Sequence, residues 1–440
     1  MRSVNGIDLG RHLAALPQRP PHVCRGRVVE LTGLVVRAAA EGLRQGELVH
    51  IHSDGSEPLV AEVVGFRADE AVLLPLGDTR GLAPGAEVVP SGRPLTVRAG
   101  RALLGRVLDG LGRPLDGRPL PEGLAPWDLH RPAPNPLERE RVRRPLQLGV
   151  RALDALLTAG EGQRIGLFAG SGVGKSMLLG QIARGTSADV VVVGLVGERG
   201  REVREFLEES LGPEGLERSV VVVATSDAPA LVRLKAASTA TALAEWFADV
   251  DGRSVLLLLD SITRFARAQR EVGLAAGELP ARQGYPPSVF AELPRLLERA
   301  GSRARGGITA VYTVLVAGGD MDEPIADEVR GILDGHVVLD RQLAARGHFP
   351  AIDVLQSVSR VMPAVVAPGH LGLAARARQL LATWERQRDM VALGAYVRGT
   401  DAATEEAIAR IGAVESLLQQ PPREPSTLED AVRALEAALA

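Results

Sequence analysis

The chain has 440 residues, 45% hydrophobic and 24% charged, with a formal net charge of −3. That length exceeds one ordinary core and predicts two or three domains, one of them large. The near-neutral charge excludes a global basic field for nucleic acid or an anionic membrane. No apolar run approaches the ~20 residues of a membrane helix and no signal-peptide core is present, so the protein is expected in the cytoplasm. Cys24 is the single cysteine; with no intrachain disulfide it reads as a small buried hydrophobe in a reducing compartment.

In chain order, residues 7–16 form a candidate amphipathic helix before the break at Pro17–Pro21. Ile7, Leu9, Leu13 and Leu16 have no evident core to join, so residues 1–20 read as a docking segment. Over 21–97, Val- and Leu-rich runs (Arg27–Leu31, Leu34–Arg37, Leu48–Ile51, Val60–Phe66, Ala71–Pro75) alternate with Gly, Asp and Pro turns. This is the spacing of a small β-barrel. Residues 98–150 read as a linker and entry to the core, with seven prolines between Arg113 and Pro136. From 151 to 369 apolar strands are predicted at Ile165–Ala169, Val190–Val196, Val220–Ala224, Val255–Leu259 and Ile308–Val316, alternating with helical segments. Strands apolar on both faces mean an α/β domain with a mostly parallel sheet. Residues 370–440 read as a helical domain: Leu373–Leu393, Thr404–Leu418 and Thr427–Leu439.

The chemistry starts at Arg164–Ser176, a short strand, a glycine-rich turn and Lys-Ser opening a helix. Gly170, Gly172 and Gly174 let the backbone of Gly170, Ser171, Gly172, Val173 and Gly174 curl around an anion, at the positive end of the following helix. Lys175 would reach the β- and γ-phosphates of ATP, and the Ser176 hydroxyl would ligate Mg²⁺. The strict pattern asks for glycine where this chain has Ala169. The strand Val255–Leu259 ends in Asp260, a carboxylate on the ligand-binding edge of a parallel sheet that would position Mg²⁺ directly or through water. The strand Val190–Val196 ends similarly in Gly197-Glu198, and Glu198 is the candidate base that orients the attacking water.

These motifs, with Gly197–Val203, Asp260–Ala266, Gly284–Phe290, Asp322–Glu328 and Pro350–Ser359 before Arg360, resemble the RecA-like ATPases that include the rotary ATP synthase catalytic subunits, and most closely the flagellar and type III secretion export ATPases. The resemblance implies a RecA-like P-loop NTPase core between an N-terminal β-barrel and a C-terminal helical domain. It implies a homohexameric ring that hydrolyses ATP with Mg²⁺ and energises substrate and chaperone release and unfolding. Arg360 would be an arginine finger acting on the γ-phosphate held by the next subunit, a task that suits a planar, permanently charged fork. Phe349 and Tyr396 would flank the adenine, while Arg199 and Arg264 would act at the nucleotide or between subunits. The implied partners are a stator-like regulatory protein at residues 1–20, a central stalk, export chaperones and an export gate, at the periphery of the inner membrane. Residues 316–328, with Asp320, Asp322 and Glu323, would be a mobile loop facing the ring interior or a neighbour. Where this family usually carries Ala-Ala-Tyr-Thr-Ala-Thr, the chain has Ser238 in place of the Tyr, which puts a packing or interface contact in question. A nucleic-acid translocase on the same core would need stacking aromatics on its barrel, and Phe66 is the one aromatic before Trp127. A ring subunit that binds without hydrolysing is disfavoured because Lys175, Glu198 and Asp260 are all present.

Overall fold

The computed structural model describes residues 25–53 and 57–440, so the candidate helix at 7–16, the docking segment 1–20 and Cys24 lie outside the described residues. The chain divides after Leu95 into two compact units. The first is a closed barrel of six antiparallel strands, β1 (Gly26–Thr32), β2 (Val35–Ala39), β3 (Glu47–His52), β4 (Leu59–Arg67), β5 (Glu70–Pro75) and β6 (Glu87–Pro94), in the order β1-β2-β5-β4-β3-β6. Burial alternates along the strands, as in β3, so that Val28, Val36, Val49, Ile51, Val63, Leu73 and Val88 fill the interior while polar neighbours face out. β6 has no counterpart among the five barrel runs predicted above. Its Pro90, Gly92 and Pro94 imitate a turn, and Glu47, buried, accepts the Gly92 N–H at 2.7 Å to hold that irregular strand.

The second unit is built on one large sheet. Its strands in chain order are β8 (Arg106–Asp109), β12 (Arg164–Ala169), β13 (Val190–Glu198), β14 (Ser219–Thr225), β15 (Ser254–Asp260), β16 (Gly301–Ser302), β17 (Gly307–Leu315), β18 (Gly335–Leu339) and β19 (Ile352–Ser359). The path across the sheet is β19-β18-β12-β17-β15-β13-β14-β8, parallel throughout except for β19 against β18, with β16 a short antiparallel appendage of β17. Two short ladders, β7 (Thr96–Ala99) with β9 (Ala125–Asp128) and β10 (Pro145–Leu146) with β11 (Ala159–Gly160), complete the strand inventory of the described residues. The proline-rich stretch is therefore ordered against the core, and the buried Arg106–Asp116 ion pair at 2.7 Å pins it.

β13, β14 and β15 are buried almost end to end because helices cover both faces. Chain order reverses around β12: its helix leads to β13 on one side, while β18 lies on the other. Such a switch point opens a crevice at the carboxyl ends of the strands, where open α/β sheets bind ligands. Three helices, Pro368–Ala392, Ala402–Leu418 and Leu428–Leu439, end the chain. Their apolar faces (Ala377, Leu380, Val414, Leu417, Leu435) join the same core as Leu153 and Leu156. Asp401 caps the second and a Thr427–Asp430 capping box starts the third, each worth about 1 kcal/mol. Among the described residues no helix is long and apolar enough to cross a membrane.

Candidate active site

The phosphate loop grows directly out of β12. Ala169, where the strict pattern has glycine, is fully buried inside the strand and pairs with Leu315 on one side and Leu339 on the other. It lies in extended backbone, so its Cβ costs nothing. Strain begins further on: Gly172 and Gly174 have φ of 78° and 87°, values that L side chains rarely adopt. Val173, buried at 2% exposure, anchors the underside of the turn. Gly174 is the N-cap of the 11-residue helix Lys175–Gly185, so the helix's free N–H groups and positive end face the loop. Ser171 and Ser176 are exposed at this mouth. The Phe349 ring closes one side of it. Its Cδ1 and Cε1 atoms lie 3.5 Å from where a Gly174 Cβ would stand, and the residue is 40% exposed.

Below the loop, charges are gathered where charge is expensive. The Lys175 ammonium lies between the Asp260 carboxylate, which it touches, and Glu198 at 3.4 Å. Arg264 donates to the other Glu198 oxygen at 3.0 Å and to Gly197 O at 2.6 Å. A bulge between Val196 and Glu198 aims the glutamate inward. Gly197 makes this possible, because its φ is 72° and a Cβ there would press on the Arg264 stem at 3.0 Å. Asp260 is held from the neighbouring strand by the Thr313 hydroxyl, which donates at 2.7 Å. Burial, reinforced by the Asp260 charge, pushes the Glu198 carboxyl up to about 7, against the pull of Lys175 and Arg264. Glu202, on the solvent side, hydrogen-bonds Glu198 and is itself held below the ordinary glutamate range. A carboxyl that titrates near neutrality beside a phosphate cradle has the acidity a general base needs.

The donor set also fits a hard divalent cation carried by phosphates: one hydroxyl at Ser176 and one carboxylate at Asp260, at a mouth shaped for an anion. Among the described residues no group of three or more His, Cys, Asp or Glu gathers to cage a metal by itself.

Arg360 lies on the other edge of the sheet. Ser359 pairs with Gly335 at the start of β18, and Arg360 donates through its backbone to Asp334 O at 3.1 Å and through its guanidinium to Leu333 O at 3.4 Å. Asp334 also pairs with Arg164, the first residue of β12. The phosphate loop leaves the last residue of that strand, about 20 Å away along six residues, farther than an arginine side chain reaches. The guanidinium is exposed and points at no group of its own cradle.

Residues 28–92 match the β-barrel domain and 149–359 the nucleotide-binding domain of the ATP synthase alpha/beta family, and residues 366–437 match the C-terminal domain of the type III secretion ATPase EscN. The flagellum-specific ATP synthase of Bacillus subtilis is 52% identical over 412 residues, covering 93% of this chain and 94% of the relative. The type 3 secretion system ATPase of Xanthomonas euvesicatoria is 52% identical over 415 residues, 93% of each. The assembled EscN ATPase of enteropathogenic E. coli superposes with a TM-score of 0.88 at 46% identity, covering 94% of this chain and all of that one. The chain belongs to the flagellar and type III secretion ATPases. It is an ATPase with the fold of that family.

Within this ATPase the structure brings together Gly170–Ser176, Glu198, Asp260 and Phe349, and it separates three other candidates. Tyr396 lies in the turn between the first two C-terminal helices, its hydroxyl donating to Asp401 O and bonded to Glu405, each at 3.2 Å. The 17-residue helix Ala402–Leu418 runs about 25 Å from that turn to the end nearest Phe349. Tyr396 therefore stands at the end of that helix far from Phe349. Arg199 is the exposed N-cap of the helix Gly200–Glu205, in a loose pair with Glu202 at 3.5 Å. Arg360 is the third. Ser238 is half-buried in the helix Ala230–Asp249 and its neighbour Thr239 bonds Gly110 O. Sequence reasoning missed Thr313 and Glu202. A hydroxyl two residues before the end of the mostly apolar run Gly307–Leu315, and a second glutamate one helical turn after Glu198, were the available signals.

Proposed function

We propose that this ATPase works as a homohexameric ring whose active sites are shared between neighbours, and that hydrolysis of Mg²⁺-ATP drives release and unfolding of exported proteins at a flagellar or type III secretion apparatus. The observation that carries this reading is the separation of Arg360 from its own phosphate cradle. One edge of the sheet offers a cradle, a base and a metal-side carboxylate without an arginine finger; the opposite edge offers an exposed arginine without a cradle.

In the proposed site the backbone of Gly170–Gly174 and the Lys175 ammonium hold the β- and γ-phosphates. Ser176 and Asp260 would hold Mg²⁺, which would neutralise charge on the phosphate oxygens. Glu198 orients a water in line with the γ-phosphorus and takes its proton as the bond to the ADP oxygen breaks. Arg264 and Lys175 keep Glu198 aimed by charge-assisted hydrogen bonds. Phe349 packs against the base. Arg360 of the neighbour spreads positive charge over the departing phosphoryl oxygens, and Arg199, the exposed residue after Glu198, faces the neighbour.

The assembled state of EscN and its complex with the central stalk EscO support a ring that engages a stalk. A stator-like protein at residues 1–20, export chaperones and an export gate complete the proposed partners. The ring would meet the inner membrane through that apparatus. We assign the functional domains as 1–20, 21–97, 98–150, 151–369 and 370–440, as read from the sequence.

A site completed in trans makes specific activity depend on assembly. Steady-state ATP hydrolysis by the purified chain should rise more than linearly with protein concentration. Arg360→Ala should lower kcat by about 10³-fold, as for other arginine fingers, and flatten the concentration dependence while nucleotide still binds. Activity strictly proportional to concentration down to the nanomolar range, in a protein shown to be monomeric there, would refute the shared site.

A further inference from the structure

Residues 419–427, which join the last two helices, are tied to the nucleotide-binding unit at an unusual density. Gln420 is 2% exposed and sits at the centre of that strap. Its side-chain oxygen accepts the Arg151 N–H at 2.8 Å, and its amide nitrogen donates to Gly149 O at 3.1 Å and Glu424 O at 2.8 Å. Its backbone N–H donates to Phe349 O at 2.9 Å. Around it, Arg151 donates to Leu417 O at 3.3 Å and pairs with Glu424, and Arg184, in the last turn of the phosphate-loop helix, donates to Pro422 O at 2.7 Å.

Phe349 is tied to this strap through its backbone. Its ring is half-exposed at the mouth above Gly174, and the Gln420 N–H fixes the carbonyl of the same residue. A buried amide whose donors and acceptor are all used holds its own backbone in one place, because any shift strands polar groups away from water. The hydrolytic groups Lys175, Glu198, Asp260 and Thr313 bond one another and none of them bonds Gln420.

We propose that Gln420 is a positioning residue for nucleotide binding: it fixes Phe349 over the phosphate loop and thereby makes the affinity on the base side depend on where the C-terminal helices sit. This rests on the reading of Phe349 as the wall against the base. Gln420 acts through Phe349, so its loss changes how tightly nucleotide is held and leaves the hydrolytic step alone. Displacement of the terminal helices, by a partner that pulls on them, would loosen the base-side wall through the same hydrogen bond.

The test is a double-mutant cycle on the full-length protein, with the fluorescent nucleotide mant-ADP as probe and steady-state hydrolysis alongside. Gln420→Ala should weaken mant-ADP binding and raise KM for ATP by about five- to tenfold, the loss expected when a well-satisfied buried amide is removed, with kcat within about twofold. In a Phe349→Ala background the same substitution should add nothing, because the group it positions is gone. Additive losses, or a fall in kcat at unchanged mant-ADP affinity, would overturn the proposal. Should Q420A lose its cooperative melting transition, Gln420→Glu keeps the size and the acceptor for Arg151 and loses both donors. A folded Q420E with wild-type mant-ADP affinity would equally overturn the role. Unchanged affinity in F349A alone would instead refute the reading of Phe349, and the proposal with it, whereas weakened F349A beside an unaffected Q420A would refute only the part assigned to Gln420.

Discussion

The two edges of the large sheet differ in what their charges do. At the carboxyl edge Lys175, Glu198, Asp260 and Arg264 are packed against one another with little solvent contact, and both Glu198 oxygens and one Asp260 oxygen have named donors. At the amino edge Arg164 and Asp334 neutralise each other in an ordinary structural pair, while Arg360 is left exposed with only carbonyl oxygens for company. The first edge is preorganised for phosphoryl chemistry. The second carries one charge with no use inside its own chain. On the reading proposed above, this difference makes the catalytic unit an interface between copies rather than a pocket of one of them.

The comparison is broken most severely at its buried base. Glu198→Gln keeps the size and the contact with Arg264 while removing the proton acceptor, so single-turnover hydrolysis should slow at least 100-fold with ATP binding retained. The acidity of Glu198 sharpens the same point. Its carboxyl, pushed up to about 7, is the active base only when ionised, so kcat/KM should fall about tenfold per unit as pH drops below 7 and level off above. E198Q should lose that limb altogether; a full-height acidic limb surviving in E198Q would remove Glu198 from the role. A smaller effect is expected one layer further out. Thr313→Val preserves shape but leaves Asp260 without its 2.7 Å donor; kcat should fall about three- to tenfold, a loss of roughly one hydrogen bond to a charged group, with a higher Mg²⁺ concentration needed for half-maximal rate.

How legible each region is in the sequence follows from the range of its interactions. β13, β14 and β15 read clearly because a strand covered on both faces is a continuous apolar run, and Glu198 and Asp260 stand out as the charges that end such runs. β8, β18 and β19 do not. Arg106 is buried only because Asp116, ten residues later, neutralises it, and β19 is an edge strand with a half-buried Asp353 and an exposed Gln356. A lone charge or an alternating edge looks like a loop until its partner is known. The same holds at the site. The phosphate loop is a local motif and reads at sight, whereas Thr313 reaches Asp260 across 53 residues and Gln420 reaches Gly149 across 271. The adenine role of Tyr396 rests on resemblance alone; it is the strap after the next helix that reaches Phe349.

The most direct measurement mixes two inactive proteins. Lys175→Ala chains retain Arg360 but have a damaged cradle, and Arg360→Ala chains retain the cradle but have no finger to lend. Co-assembled at equal amounts, the two should recover a measurable part of wild-type ATP hydrolysis, because some interfaces then join an intact cradle to an intact Arg360 from the neighbour. Co-assembly demonstrated by size-exclusion chromatography or crosslinking, with hydrolysis no higher than either variant alone, would contradict an active site shared between copies.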